Sequence, residues 1–173
     1  MTEFRVTKYD PRMRLSNGHY PPDEWTSVSD IGREFLGRVF DYQQYMMVEN
    51  NYIEAIRRFL RSSGVSSVQV KDLEIHATRS SLVTPLQSET ATRLLRVANN
   101  SDVSGIDLDW IARLALREAL WCRLEGMNGF YVHFGYDYYM YIGSTGPLIA
   151  PTMPQGMYAE QFVSPHHREP SEE

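Results

Sequence analysis

Two glutamates interrupt the apolar helical stripes of this chain, and a histidine stands in its most aromatic stretch. Glu49 is flanked at helical spacing by Tyr45, Met46, Tyr52 and Ile53, and Glu118 stands between Leu114 and Trp121. His133 belongs to Phe130–Gly143, which reads FYVHFGYDYYMYIG. A buried carboxylate without a partner is strongly disfavoured, so each glutamate must be paired or must face an opening in the core. One reading makes Glu49, Glu118 and His133 a single cleft for acid–base chemistry, as in a small hydrolase-like enzyme. The other makes the glutamates structural, bonded to tyrosine hydroxyls, an indole N–H or an arginine. No nucleophile accompanies them: Ser27 and Ser29 in WTSVSDIG lack the Gly-x-Ser-x-Gly turn, and Cys122 reads as a buried, inert thiol. His19 and His76 are isolated, and His166-His167 has no acidic or thiol ligand at metal spacing. Gly-rich phosphate loops are absent as well. Neither a metal nor an organic cofactor is expected.

A second constellation suits binding better than turnover. Rigid aromatics stand next to acids twice, at Tyr20, Asp23, Glu24, Trp25 and at Tyr136, Asp137, Tyr138, Tyr139. Tyrosine and tryptophan anchor protein interfaces because they bury much area at little rotamer cost, and neighbouring acids favour a cationic partner. Asp23, Glu24, Trp25, Tyr136, Asp137 and Tyr139 are therefore the candidate contacts. Net charge is −5, which steers a basic protein and argues against nucleic acid, whose phosphates need a basic face. Arg93, Arg96, Arg113, Arg117 and Arg123 are interspersed with acids and read as a solvated or salt-bridged surface.

These residues need positioning elements. Glu3–Tyr9 alternates as a strand, and Asp10–Pro22 is a loop with Asn17-Gly18 as a turn. Ser29–Arg33 has the makings of a helical turn. The first principal helix spans Asp41–Ser62, opened by a capping box of Asp41 and Gln44 and stopped at Gly64. Val65–Ile75 alternates as a strand, and Ser88–Val97 reads as a short helix. The second principal helix is expected over Asp107–Leu124, with Asp107 as its N-cap and Gly126 as its stop. Its apolar residues occupy more than one face, as in a helix covered on two sides. Phe130–Ile142 then folds as a hairpin around Gly135-Tyr136-Asp137. Phe134 would oppose Tyr138, Val132 oppose Met140, and Phe130 oppose Ile142 on an apolar face. His133 would pair with Tyr139, and Tyr131 with Tyr141, on a polar one. Met157–Val163 closes the list as a short strand.

The resulting expectation is an α+β fold, a mainly antiparallel sheet with two principal helices packed on it. Residues 1–163 would form one domain, and 164–173 a disordered tail. The single cysteine excludes an intrachain disulfide and fits a reducing compartment. The N-terminus lacks an apolar signal core and no run approaches membrane-span length, so a cytoplasmic protein is expected.

Three segments carry a resemblance: EWTSVSDIG (Glu24–Gly32), WCRLEG (Trp121–Gly126, read as a helix end) and FYVHFGYDYYMYIG. Together they resemble small uncharacterised bacterial proteins over Phe4–Gly143. The acidic, motif-free, aromatic-rich character is also similar to that of immunity proteins of contact-dependent and other polymorphic toxin systems. The resemblance implies a cytosolic monomer or homodimer that occludes the active site or another essential surface of a cognate, basic toxin domain. No residue motif defines that class, so it assigns no contact residue. The alternatives are the carboxylate enzyme above and a small-ligand-binding module using the tyrosine-lined sheet face.

Overall fold

The computed structural model describes residues 1–76 and 84–166. Helix α1 (Tyr42–Ser63) begins and ends where local chemistry dictates. The Asp41 side chain accepts from the Gln44 N–H at 2.8 Å, and Gln44 Oε1 accepts from the Asp41 N–H at 3.1 Å. Gly64, at φ 69°, takes the left-handed conformation that ends a helix cheaply. Tyr45, Tyr52, Ile56 and Phe59 form the buried stripe.

Among the described residues, strands β1 (Thr2–Thr7), β4 (Val68–Ile75), β5 (Asp102–Val103), β6 (Leu120–Gly126), β7 (Tyr131–Phe134), β8 (Met140–Ser144) and β9 (Tyr158–Gln161) make one antiparallel sheet in the order β5-β4-β6-β7-β8-β1-β9. A separate ribbon pairs β2 (Glu34–Phe35) with β3 (Arg38–Val39). The α+β expectation holds. Phe4, Val6, Val70, Leu124, Val132 and Ile142 are buried in the core with residues of α1 and of α3 (Gly105–Leu116). A shorter helix, α2 (Thr84–Leu94), packs against α3. It starts and ends earlier than the expected Ser88–Val97.

The second principal helix is a correction. It stops at Leu116, and Trp121–Gly126 is strand rather than helix end. The Glu118 N–H donates to the Ala115 carbonyl at 3.0 Å and the Ala119 N–H to the Leu114 carbonyl at 2.9 Å. This is a Schellman stop with Glu118, at φ 56°, where glycine is usual. The two apolar faces of the expected helix belonged to two elements. In β6, Leu120, Cys122 and Leu124 are buried while Trp121, Arg123 and Glu125 are only partly so, the period of a strand. The N-cap is Ser104, with Asp107 in the first turn.

The hairpin keeps the expected faces but slips by two residues. Phe134 pairs with Met140, Val132 with Ile142, His133 with Tyr141 and Tyr131 with Gly143. A slip of two preserves which side each residue faces. The turn is set by Tyr138, whose buried ring meets Trp25 edge-on at 4.8 Å and whose hydroxyl donates to the Leu116 carbonyl at 2.8 Å. Asp137 and Tyr138 both take positive φ, 53° and 60°. Gly135 serves close approach instead of the turn, since a Cβ there would lie 3.0 Å from the Tyr139 carbonyl oxygen.

The C-terminal strand is β9, shorter than the expected Met157–Val163. Ser164 is buried, its N–H bonded to Glu3 Oε2 at 3.0 Å. The expected tail from Ser164 is thus packed on the sheet as far as His166; residues 167–173 lie outside the described residues, as does 77–83. No helix among the described residues is long and apolar enough to cross a membrane.

Candidate functional site

The three candidate cleft residues occupy three different surroundings. Glu49 is wholly buried and accepts from Arg117 Nε at 2.7 Å and Nη2 at 3.0 Å, from the Tyr45 hydroxyl at 3.1 Å, and from Arg113. Arg117 Nη1 extends the network to Glu89 at 2.9 Å and to the Thr90 hydroxyl at 3.3 Å. Burial opposes the charge of Arg117, but the bonds from Glu49 hold its pKa above the usual arginine range. Glu49 is therefore a structural carboxylate joining α1 to α3. His133 is buried in the polar sheet layer, stacked on Tyr131 at 4.2 Å, with Nδ1 2.9 Å from Ser164 Oγ. That layer is covered: Phe162 lies 6.0 Å from Tyr141 between ring centroids, and His166 lies 5.7 Å from it. Of the three, only Glu118 faces an opening, so Glu49, Glu118 and His133 do not share one cleft; on the tyrosine-lined face Tyr141 is covered, while Tyr139 borders that opening.

The opening is a cavity of about 600 Å³ between the loop at Thr26–Ser29, the α3–β6 turn and the hairpin tip. Among the described residues its walls include Trp121, Phe134, Tyr136 and Tyr138, and its acidic lining is Glu74, Glu118 and Asp137, with no lysine or arginine. His76 and His166 also reach it; burial lowers the His166 pKa, which favours the neutral ring.

Ser27 positions Glu118. Its hydroxyl donates to Glu118 Oε1 at 2.6 Å, lies 2.7 Å from Ser29 Oγ, and accepts from the Ser29 N–H at 3.1 Å. Asp30 holds this turn by accepting from the Thr26 and Ser27 N–H groups at 3.0 and 3.1 Å, and Arg33 pairs with it at 2.6 Å. The expected helical turn near Ser29 is this short one, Val28–Asp30.

The six candidate contacts divide in two. Asp23, Tyr136 and Asp137 are exposed, and Tyr136 and Asp137 line the cavity. Glu24 is partly buried and already engaged, by Lys8 Nζ at 2.9 Å and the Tyr20 hydroxyl at 2.9 Å. Burial lowers the pKa of Lys8, and Glu24 only partly offsets that. Trp25 is stacked on Phe40 at 4.3 Å and supports Tyr138 from behind. Tyr139 accepts from Arg14 at 2.9 Å, and its ring lies 5.4 Å from that of Tyr9. Tyr9 in turn donates to the Trp25 carbonyl at 3.5 Å, so the two aromatic–acidic segments share one end of the molecule. Glu24, Trp25 and Tyr139 build that end, and Asp23, Tyr136 and Asp137 present it.

Sequence reasoning missed Ser27, Trp121 and Glu74 as lining residues. Ser27 drew notice only as a nucleophile, and its pairing with Glu118 spans 91 positions. Among the described residues, no three His, Cys, Asp or Glu side chains are grouped as a metal ion would require. No family model, curated protein or solved structure matches the chain.

Proposed function

We propose that this chain is a binding protein of the immunity type, which neutralises a cognate bacterial toxin domain by covering a basic surface of it. The observation supporting this reading is the cavity at the end formed by the Thr26–Ser29 loop and the hairpin tip. Among the described residues its acidic lining is Glu74, Glu118 and Asp137, with no lysine or arginine, and Tyr136 stands at it 86% exposed. An exposed aromatic beside acids gives both an anchor and electrostatic steering toward a cation. Occlusion requires no turnover, and the dispersal of Glu49, Glu118 and His133 accords with that.

The test is protection in cells. Where the gene beside this one encodes a large secreted protein with a variable C-terminal domain, bacteria producing that domain should grow when this chain is co-produced. Asp137→Lys combined with Tyr136→Ala should remove protection while leaving the chain folded. Growth arrest that the unaltered chain does not relieve would overturn the proposal. A second reading, a small-ligand-binding module, draws on the cavity volume of about 600 Å³, which is within the range of ligand pockets. Retention of a small molecule through purification would favour it.

A further inference from the structure

We infer that this chain forms a two-fold dimer by pairing β9 with the β9 of a second copy. Strand β9 ends the sheet, with β1 on its inner side. The ladder to β1 shows which backbone groups are left over. The Phe162 N–H donates to the Glu3 carbonyl at 3.2 Å, and in the same register Glu160 lies opposite Arg5 and Tyr158 opposite Thr7. Bonded and non-bonded pairs alternate between antiparallel strands, so Tyr158, Glu160 and Phe162 turn their backbone groups to β1, and Ala159, Gln161 and Val163 turn theirs outward. No strand of the described residues takes up that outer side. Phe162 and Val163 are exposed beside it, at 41% and 72%. From Ser164 to His166 the chain leaves this edge and crosses toward β7 and β6: Ser164 Oγ lies 2.9 Å from His133 Nδ1, and the His166 ring lies 6.4 Å from that of Trp121.

Edges that stay single are commonly guarded by lysine, proline or an unpaired charge. The segment Tyr158–Val163, YAEQFV, has neither lysine nor proline. Its charged residue, Glu160, is already paired with Arg5 at 2.9 Å on the sheet face. Arg14 stands beside Glu160 at 3.6 Å, and Glu3 lies opposite Phe162, so two cations and two anions balance there. Two such faces meet without excess charge. At the other end of the sheet β5 spans only Asp102–Val103, too short to repeat the pairing. Growth at one edge alone closes into a dimer instead of running on as a fibre.

A second copy suits this edge because the segment is complementary to itself. With Gln161 on the two-fold axis, Gln161 meets Gln161 of the second copy, Ala159 meets Val163, and Glu160 meets Phe162. The small side chain faces the branched one. Each Glu160 comes beside a ring over which the second copy's Arg5 sits at 4.0 Å, so it gains a further guanidinium, and symmetry makes that contact twice. Strand β1 runs toward the cavity end, where Tyr9 packs on Tyr139. Antiparallel pairing of the two β9 strands therefore sends the two cavities to opposite ends of the dimer and covers neither.

The experiment is sedimentation equilibrium of the full chain, with cross-linking of single-cysteine variants. The chain should sediment at twice its own mass, with a dissociation constant on the order of 100 μM or below. Gln161→Pro removes an outward N–H that makes no bond within the chain, a place where an edge strand tolerates proline. It should weaken the dimer at least about tenfold and leave the circular dichroism spectrum unchanged. Gln161→Cys tests the register without disturbing the backbone. Residues on the axis have Cα atoms about 5.5 Å apart, within disulfide reach, so air oxidation should give a covalent dimer. Cys122 is buried and does not compete. Val163→Cys should cross-link little, because the two copies of that residue would be about 13 Å apart. A chain that stays monomeric, a dimer untouched by Gln161→Pro, or equal cross-linking at 161 and 163 overturns the inference. A monomer whose Gln161→Pro variant loses protection in the growth assay overturns it too, and gives the edge to a strand of the toxin domain.

Discussion

Glu49 and Arg117 face each other through two hydrogen bonds, of 2.7 and 3.0 Å, with both side chains completely withdrawn from solvent. Such a pair specifies an arrangement more than it stabilises one, because stripping water from two charges offsets much of their attraction. Removing one partner is a different matter. Glu49→Gln removes the buried counter-charge from Arg117 and leaves it only the more exposed Glu89, and stability should fall by about 3–5 kcal/mol, read as a lower urea midpoint. Glu49→Leu with Arg117→Met should lose much less. Equal losses in the single and double variants would contradict the role given to this pair.

Glu118 adopts the conformation glycine holds at most such helix ends. Glu118→Ala and Glu118→Gly both delete the bond from Ser27, but only glycine relieves the left-handed strain. Glu118→Gly should be the more stable of the two by about 1 kcal/mol, measured by thermal unfolding.

Cys122 lies on the buried face of β6, and burial pushes its thiol up to about 12. The nucleophile is the thiolate, so iodoacetamide at pH 8 should modify the folded chain negligibly and the urea-unfolded chain readily. Fast labelling of the native protein would show that β6 opens.

Burial lowers the His166 pKa from its ordinary 6.5. The unfolded ring takes up its proton first, so the stability that neutral packing contributes is full above about pH 6.5 and is lost as pH falls through the folded pKa. His166 contacts Trp121, Tyr141 and His133, and its N–H donates to Ser164 Oγ at 3.2 Å. Amide exchange at Ser164 should therefore accelerate between pH 7.5 and 5.5, beyond the intrinsic pH effect, and His166→Gln should flatten that change.

What could be read in advance follows the range of the interactions. The bounds of α1 rest on Asp41, Gln44 and Gly64, neighbours in sequence, and were legible. The hairpin faces were legible because period-two alternation survives a slip of two residues. The pairing was not, because the Tyr138 ring selects it from across the core through Trp25 and Leu116. The end of α3 was hidden by the absence of glycine at Glu118 and by the apolar residues beyond it. The alternation of Leu120, Cys122 and Leu124 was the signal available there. The exposed part of the candidate site was legible as aromatic–acidic pairs, but its floor joins Ser27 to Glu118 across most of the chain.

Strand β1 lies inside the sheet, with Thr2–Val6 hydrogen-bonded to β8 and Phe4–Thr7 to β9. Strand β1 therefore waits for two strands far along the chain, and this part of the sheet cannot be zipped progressively from neighbouring segments. Deleting β1 would not shorten an edge. It would take out an interior stave and leave β8 and β9 to meet each other or another molecule.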